Sequence, residues 1–174
     1  MIDALTIDQS RVRALRAYTG ADYSSVNRLL RYNHSLDAHH LEIIEQLDAA
    51  MEVTSLPNSI LVYRGVGPRV LGLKYGEPFD FYAAVGMGIV DPGFVSSTTD
   101  IEVARNFGDV VMEIMVPAGT RALCVAEVLN NDEDTINELG SESEVILDRG
   151  LKYRVDSVGG TESNPLLRVS ILPG

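Results

Sequence analysis

The pattern of apolar residues changes near Pro57, and this change constrains the fold more than any other feature of the sequence. Before Pro57, apolar residues recur three and four positions apart, which is typical of helices that bury one face. After it, short apolar and β-branched runs alternate with turns rich in glycine, proline and aspartate, which is typical of strands. Helices followed by strands predict an α+β fold. We expect an N-terminal helical layer on a mainly antiparallel, two-sheet core.

The length of 174 residues suits a single domain with a sizeable core, which we expect to span 1–174. Its helical part occupies about 1–56 and its mainly β core occupies 57–174. Three helices are predicted: the first ends at Gly20, the second ends near Asn33, and the third follows Ser35 and ends before Pro57. A further short helix is predicted over 100–107, with Asp100 as its N-cap.

Short apolar and β-branched runs predict the strands of the core. They cover 60–64, 94–98, 110–116, 122–128, 143–147, 152–158 and 166–172. The segment 66–90 is glycine-rich and is predicted to be irregular. Asp91-Pro92-Gly93 is a turn signal that precedes the second strand.

The formal net charge of −11, from 25 acidic and 14 basic residues, argues against a general nucleic-acid binder, which needs a basic face for phosphates. No apolar run approaches the roughly 20 residues that cross a bilayer, so no membrane association is expected. A signal peptide has a basic residue ahead of an apolar stretch. The N-terminus lacks this pattern, so we expect no signal peptide.

We expect no metal site. The single Cys124 excludes a cysteine-based cluster and an internal disulfide, and it is interpreted as a small buried apolar residue. The histidines, His34, His39 and His40, do not match a zinc spacing. Adjacent residues on a helix point about 100° apart, so His39 and His40 are not expected to face one ion.

Three short motifs carry the chemistry, although each alone is weak: Tyr63-Arg64-Gly65, Phe94-Val95-Ser96-Ser97-Thr98 and Glu142-Ser143-Glu144. Residues two apart in a strand share a face, so Glu142 and Glu144 are predicted to lie side by side, about 6–7 Å apart. The strand continues into an apolar run. Because carboxylates beside a buried strand are costly unless a cation or hydrogen-bond donor meets them, we expect a site at the edge of a cleft.

Paired carboxylates suit substitution at an anomeric carbon, because a carboxylate stabilises an oxocarbenium-like transition state. If nicotinamide is the leaving group, it departs neutral and needs no general acid. One glutamate can then hold the ribose 2′-hydroxyl, and the other can orient the nucleophile or take its proton. Arg64 is the candidate that would offset repulsion between this acidic site and a pyrophosphate.

Together the motifs resemble the Arg–Ser–Glu class of mono-ADP-ribosyltransferases, the exoenzyme family that includes binary actin-modifying toxins and phage-encoded transferases. The N-terminal Tyr18-Thr19-Gly20, Tyr23 and Val26-Asn27, and the later Val116–Thr120 and Lys152–Val155, resemble further parts of that family. The resemblance covers about residues 10–172. One departure is Ser97-Thr98 in place of the commoner Thr-Ser.

The resemblance implies a role for each site residue. Arg64 binds NAD, the backbone of Gly65 lies near the nicotinamide amide, Ser96 positions Glu144, and Thr98 supports the strand. Glu144 is the catalytic glutamate on the 2′-hydroxyl. Glu142 engages the acceptor, and a glutamate here resembles the arginine-directed members.

Two further segments are assigned by the resemblance. Arg105 and Phe107 fall where the family has its phosphate–nicotinamide loop, although an ordinary helix with Phe107 in the core is an equal alternative. Asn130–Ser141 corresponds to the substrate-recognition loop. It lacks the aromatic residue that many of the toxins carry there, and its acidic residues would attract a basic target surface.

The expected function is transfer of ADP-ribose from NAD to an arginine of a target protein, as a toxin, effector or phage enzyme acting in the cytoplasm of a target or host cell, secreted or virion-delivered. One alternative is an NAD glycohydrolase that uses Arg64, Ser96 and Glu144 with water. A second is a catalytically weak structural or binding relative. A third is modification of nucleic acid, against which the net charge and Glu142 both argue.

Overall fold

The computed structural model describes residues 8–32, 37–67, 80–129, 143–161 and 163–173. The described helices are α1 (Gln9–Ala17), α2 (Tyr23–Tyr32), α3 (Ala38–Glu52), α4 (Ile101–Arg105) and α5 (Val125–Leu129). The described strands are β1 (Ile60–Val66), β2 (Gly88–Asp91), β3 (Val95–Thr98), β4 (Val110–Val116), β5 (Ala122–Cys124), β6 (Glu144–Leu147), β7 (Leu151–Thr161) and β8 (Asn164–Ile171). A 3₁₀ turn, Phe81–Ala84, precedes β2.

The first helix does not end at Gly20, so that prediction is wrong. A π-helical segment, Tyr18–Asp22, joins α1 directly to α2. Gly20 lacks a positive φ, and a single glycine costs a helix only about 1 kcal/mol. Burial of Tyr18, whose side chain is fully enclosed, holds this segment in place. The N-terminal end of α1 is capped by Asp8, which accepts from the N–H groups of Ser10 and Arg11.

The eight described strands form one mixed sheet in the order β2-β7-β8-β4-β1-β3-β6-β5. β4 and β8 pair in parallel, and the other described pairs are antiparallel. β1 and β3 meet at a single register position, where Tyr63 lies opposite Thr98. The sheet therefore has a five-strand section and a three-strand section joined at one point. The predicted α+β fold, with helices first, is confirmed.

Two apolar clusters form the core on opposite faces of the three-strand section. In β6, Val145 and Leu147 belong to the first cluster, which consists mainly of residues on the strands. Ile146 belongs to the second cluster, which includes the buried residues of the helices. This split follows from the alternation of side chains along a strand. All three residues are buried, as the apolar run predicted. The helical layer thus covers β3, β6 and β5, and its α2 lies beside the end of β3.

Two predicted segments differ from the structure. The predicted strand 122–128 is a strand only as far as Cys124 and then becomes α5. The spacing of Val125, Val128 and Leu129 lets all three pack into the helical cluster, and this burial overrides the β propensity of valine. Within the segment predicted to be irregular, β2 pairs with β7 at the edge of the sheet, burying Ile89 while Val90 faces outward.

Gly65 allows α4 and the turn after it to lie directly on β1. A Cβ atom at Gly65 would be 2.1 Å from the carbonyl oxygen of Ala104 and 2.9 Å from the nitrogen of Gly108. Both are backbone atoms, which cannot move aside as a side-chain end can. The absence of a side chain at this position therefore sets the distance between β1 and α4.

Gly65→Ala is expected to lower the free energy of unfolding by about 1–3 kcal/mol, because α4 must shift away from β1. Gly20→Ala is the matched control: a Cβ there meets nothing within 4 Å, and alanine favours helix by up to about 1 kcal/mol. Urea unfolding of both variants measures the difference. Equal stability of the two variants would contradict the steric argument.

Candidate active site

A cleft of about 230 Å³ lies where α2, β1, β3, α4 and the start of β6 meet. Most of the site residues predicted from the sequence line it: Arg64, Gly65, Ser96, Thr98, Phe107 and Glu144. Tyr23 and Arg31 of α2 line the cleft as well. Segments far apart in the sequence thus contribute to one cavity, as the order of the motifs predicted.

Pairing between β3 and β6 sets the position of Glu144. Glu144 lies opposite Thr98, and Ser96 lies opposite Ile146. Because opposite residues of an antiparallel pair share a face, Ser96, Thr98 and Glu144 lie on the same side of the sheet. Ser97 points to the other side, where its hydroxyl donates to the carbonyl of Val145 at 2.6 Å and holds the two strands together.

Glu142 lies outside the described residues, so its predicted position beside Glu144 stays a prediction. That prediction assumed that Glu142 and Glu144 lie in one continuous strand, and the structure changes this assumption. β6 begins at Glu144 rather than at Ser143, and Ser143 has a φ of +46°. A left-handed residue is not part of an extended strand, so strand periodicity does not place Glu142. The loop Asn130–Ser141 also lies outside the described residues.

Ser96 contacts a buried hydroxyl that the sequence analysis did not identify. The Tyr18 hydroxyl lies 3.3 Å from Ser96 Oγ and accepts a hydrogen bond of 2.8 Å from Asn27 Nδ2. Burial raises the pKa of Tyr18, and the hydrogen bonds to Ser96 and Asn27 oppose this shift. The signal in the sequence was Asn27, a polar residue on the apolar face of a helix beside the buried Val26.

Arg64 lies in a partly buried cluster of three charged residues, Arg31–Asp91–Arg64. Arg64 Nη2 is 3.2 Å from Asp91 Oδ2, and the two side chains are 13% and 7% exposed. Arg31 binds both oxygens of Asp91, with Nε 2.9 Å from Oδ1 and Nη2 3.0 Å from Oδ2. Arg64 Nη1 is buried and has no hydrogen-bond partner among the described residues. The cluster contains two positive charges and one negative charge.

The sequence analysis did not identify Arg31 or Asp91 as site residues. Asp91 was interpreted as a turn residue, and it does accept from the N–H of Gly93 at 3.0 Å. Its carboxylate nevertheless points into the core between two guanidinium groups. The ion pairs of Asp91 with Arg31 and Arg64 join β2 to α2 and to β1. Because these residues are far apart in the sequence, local spacing does not predict the contacts.

Phe107 and Arg105 have different environments. Phe107 is 60% exposed and lines the cleft, so the alternative that placed it in the core is wrong. Arg105 pairs with Glu102, three residues earlier in α4, and it does not line the cleft. The structure thus brings Phe107, but not Arg105, to the other predicted site residues. Asp100 caps α4 as predicted, because its carboxylate accepts from the N–H of Glu102.

His39 and His40 contact carboxylates, and His34 lies outside the described residues. His39 Nε2 lies 3.2 Å from Asp22 Oδ2, and His40 Nδ1 lies 2.8 Å from Asp37 Oδ2. Within the described ranges, no group of three or more histidine, cysteine, aspartate or glutamate residues is arranged to hold a metal ion. No helix in those ranges is long and apolar enough to cross a membrane.

Comparison with known proteins adds one family and several relatives. The model of the ADP-ribosyltransferase exoenzyme family matches residues 3–171. The NAD(+)--arginine ADP-ribosyltransferase EFV of Enterococcus faecalis is 28% identical over 173 residues, which are 93% of this chain and 31% of that protein. The chain spans about a third of the length of the curated relatives that it matches.

Two solved structures share the fold. The ADP-ribosylating toxin BECa of C. perfringens, crystallised with NADH, has a TM-score of 0.78 and 19% identity, and the match covers 97% of this chain and 45% of that chain. C3stau2 from S. aureus, crystallised with NAD, has a TM-score of 0.77 and 19% identity, and the match covers 99% of this chain and 91% of that chain.

Tyr18→Phe is expected to lower the free energy of unfolding by about 1–3 kcal/mol, because it leaves the buried amide of Asn27 without an acceptor. Tyr82→Phe is the control, since Tyr82 is 76% exposed and its loss of a hydroxyl should change stability by less than about 0.5 kcal/mol. Denaturant unfolding measures both. A Tyr18→Phe variant as stable as the control would show that the Tyr18–Asn27 hydrogen bond does not stabilise the fold.

Proposed function

The chain belongs to the ADP-ribosyltransferase exoenzyme family, and on this premise we propose that it cleaves NAD between nicotinamide and ribose and transfers ADP-ribose to an arginine of a target protein. The observation that carries the proposal is the presence of Arg64, Ser96 and Glu144 in one cleft. The name of the Enterococcus relative supports arginine as the acceptor.

Arg64 is proposed to bind the pyrophosphate of NAD. The Arg31–Asp91–Arg64 cluster carries an excess positive charge, and Arg64 Nη1 has hydrogen-bonding capacity that the described residues do not use. A buried donor without a partner costs about 1–3 kcal/mol, which a phosphate oxygen would recover. A guanidinium group is also suited in shape and charge to phosphate. The cluster therefore fits an anionic ligand.

Glu144 is proposed to stabilise the transition state. Its carboxylate would accept a hydrogen bond from the ribose 2′-hydroxyl and face the positive charge that develops on the ribose. The bond between C1′ and the nicotinamide nitrogen breaks, and its electron pair leaves with neutral nicotinamide. A guanidine nitrogen of the acceptor then bonds to C1′ and loses a proton, for which Glu142 is the proposed base.

The remaining predicted residues have supporting roles in this proposal. Ser96 and Thr98 share the face of Glu144 and would orient its carboxylate. Phe107 offers an exposed ring on the cleft wall near Gly65, where nicotinamide could pack. Arg105 stays a prediction from the resemblance, and its ion pair with Glu102 would have to open before it could reach a phosphate.

The acceptor side of the reaction is assigned to the segment before β6. Glu142 and the acidic loop Asn130–Ser141 would present the target arginine, preferably from a basic surface. In this proposal the chain acts as a toxin, effector or phage enzyme that modifies a protein of the cell in which it works.

Glu144→Gln is expected to lower kcat for NAD cleavage by at least about 100-fold, because the amide is isosteric but cannot neutralise the oxocarbenium charge. NAD affinity should change little. Release of nicotinamide measures turnover, and calorimetry measures binding. Glu127→Gln on the exposed surface of α5 is the control with the same substitution. Turnover by Glu144→Gln at the rate of that control would refute the enzymatic assignment.

Glu142→Gln separates transfer from hydrolysis. With a small guanidine compound as acceptor, transfer is expected to fall by about 100-fold or more, the usual contribution of a general base. Hydrolysis of NAD by water should stay within a few-fold of the unsubstituted protein. Chromatography of the labelled products from one reaction gives both rates. If transfer and hydrolysis fall together, Glu142 acts in NAD cleavage and not in the choice of acceptor.

A further inference from the structure

We infer that Asp91 is a positioning residue for NAD: it holds Arg64 in the orientation that binds the pyrophosphate, and it is itself fixed by Arg31. This inference rests on the proposed function, because it concerns the same cleft. Asp91 does not line the cleft among the described residues, so it would act on NAD only through Arg64.

The Asp91 carboxylate is held independently of Arg64. Arg31 binds it through two parallel hydrogen bonds, of 2.9 and 3.0 Å, and the N–H of Gly93 donates to Oδ1 at 3.0 Å. A two-pronged contact with a guanidinium group fixes the plane of a carboxylate. The Asp91 carbonyl also accepts from the N–H of Gly150, which fixes the backbone. Asp91 is therefore a rigid anchor.

Close packing brings α2 to this anchor. A Cβ atom at Gly93 would lie 2.6 Å from Asn27 Oδ1 and 3.3 Å from Arg31 Nε, so the absence of a side chain at Gly93 leaves room for both of these α2 side chains. Arg31 can then reach Asp91 from the same helix whose Asn27 binds Tyr18. The anchor of Arg64 and the hydroxyl beside Ser96 thus depend on a single helix.

Arg64 in turn depends on Asp91. Within the described ranges, Asp91 is the only acidic group that pairs with Arg64, and Nη2 of Arg64 lies 3.2 Å from Oδ2 of Asp91. The other terminal nitrogen, Nη1, has no hydrogen-bond partner in the part of the chain that the structure describes. One edge of the guanidinium group is thus tied while donor capacity remains for a ligand. Without Asp91, two guanidinium groups would lie close together with no anion between them, and repulsion would displace Arg64.

Asp91→Asn is expected to raise both KM and Kd for NAD by about 10-fold or more, which corresponds to roughly 1.4 kcal/mol. Its kcat should fall no more than a few-fold, because Ser96 and Glu144 lie on other strands. A purely structural role gives the opposite pattern: fewer folded molecules lower the apparent kcat and leave KM unchanged. Asp156→Asn, at a surface pair with Arg154, is the matched control and should leave KM unchanged.

A second comparison avoids leaving two guanidinium groups in the cluster with no anion between them. Arg31→Met/Asp91→Asn loses one positive and one negative charge, so the net charge of the cluster equals that of the unsubstituted protein. In the Arg31→Met background, Asp91 still holds Arg64. KM for NAD should therefore be about 10-fold higher in the double variant than in Arg31→Met alone.

The outcomes separate the two levels of the argument. If the unsubstituted protein binds NAD and Asp91→Asn binds it within two-fold of the same Kd, the role of Asp91 is overturned and the proposed function stands. Equal KM values for Arg31→Met and the double variant would also overturn the role of Asp91 and leave the proposed function standing. If the unsubstituted protein neither binds nor cleaves NAD, the proposed function itself fails.

Discussion

The shared carboxylate of Asp91 is the interaction on which the cleft depends. It joins α2, β2 and β1, three elements that are distant in sequence, through Arg31 and Arg64. Removing one partner of a buried ion pair costs about 3–5 kcal/mol, because the remaining charge has no compensation. With two guanidinium groups and one carboxylate, the cluster is already one negative charge short. The imbalance lies beside a cleft, where an anionic ligand can supply the missing charge, so in the proposed function the feature that lowers stability favours NAD binding.

The three-strand section of the sheet supplies a negative charge, the carboxylate of Glu144. Glu144 begins β6, and its register with β3 places it beside Ser96 and Thr98. The single contact between Tyr63 and Thr98 joins this section to β1, where Arg64 follows Tyr63. Backbone pairing of β1, β3 and β6 therefore sets where Arg64 and Glu144 lie in the sheet. NAD needs both, since its pyrophosphate is negative and its ribose becomes positive during cleavage.

The sequence was sufficient for features that depend on local periodicity. The helical first part, the apolar run of β6 and the positions of Arg64, Ser96 and Glu144 in one cleft follow from spacing and from the resemblance of ordered motifs. Prediction from the sequence failed where a contact between distant residues determines the local structure. Burial turns Val125–Leu129 into a helix, and the helix passes Gly20 because Tyr18 is enclosed. Asp91 looked like a turn residue because its two arginine partners come from elsewhere in the fold.

The proposed function assigns cleavage of NAD and choice of acceptor to different parts of the chain. Among the described residues that line the cleft, Glu144 is the only acidic one, and it is the residue that the chemistry of cleavage requires. Ser143, with its positive φ, divides β6 from the segment that contains Glu142, so the geometry of one does not fix the geometry of the other. Water can reach any open cleft, and transfer to arginine therefore depends on holding the acceptor in place, an effect that can be worth several kcal/mol. In the proposed function, the segment before Ser143 holds the acceptor, whereas β3 and β6 carry the residues for cleavage.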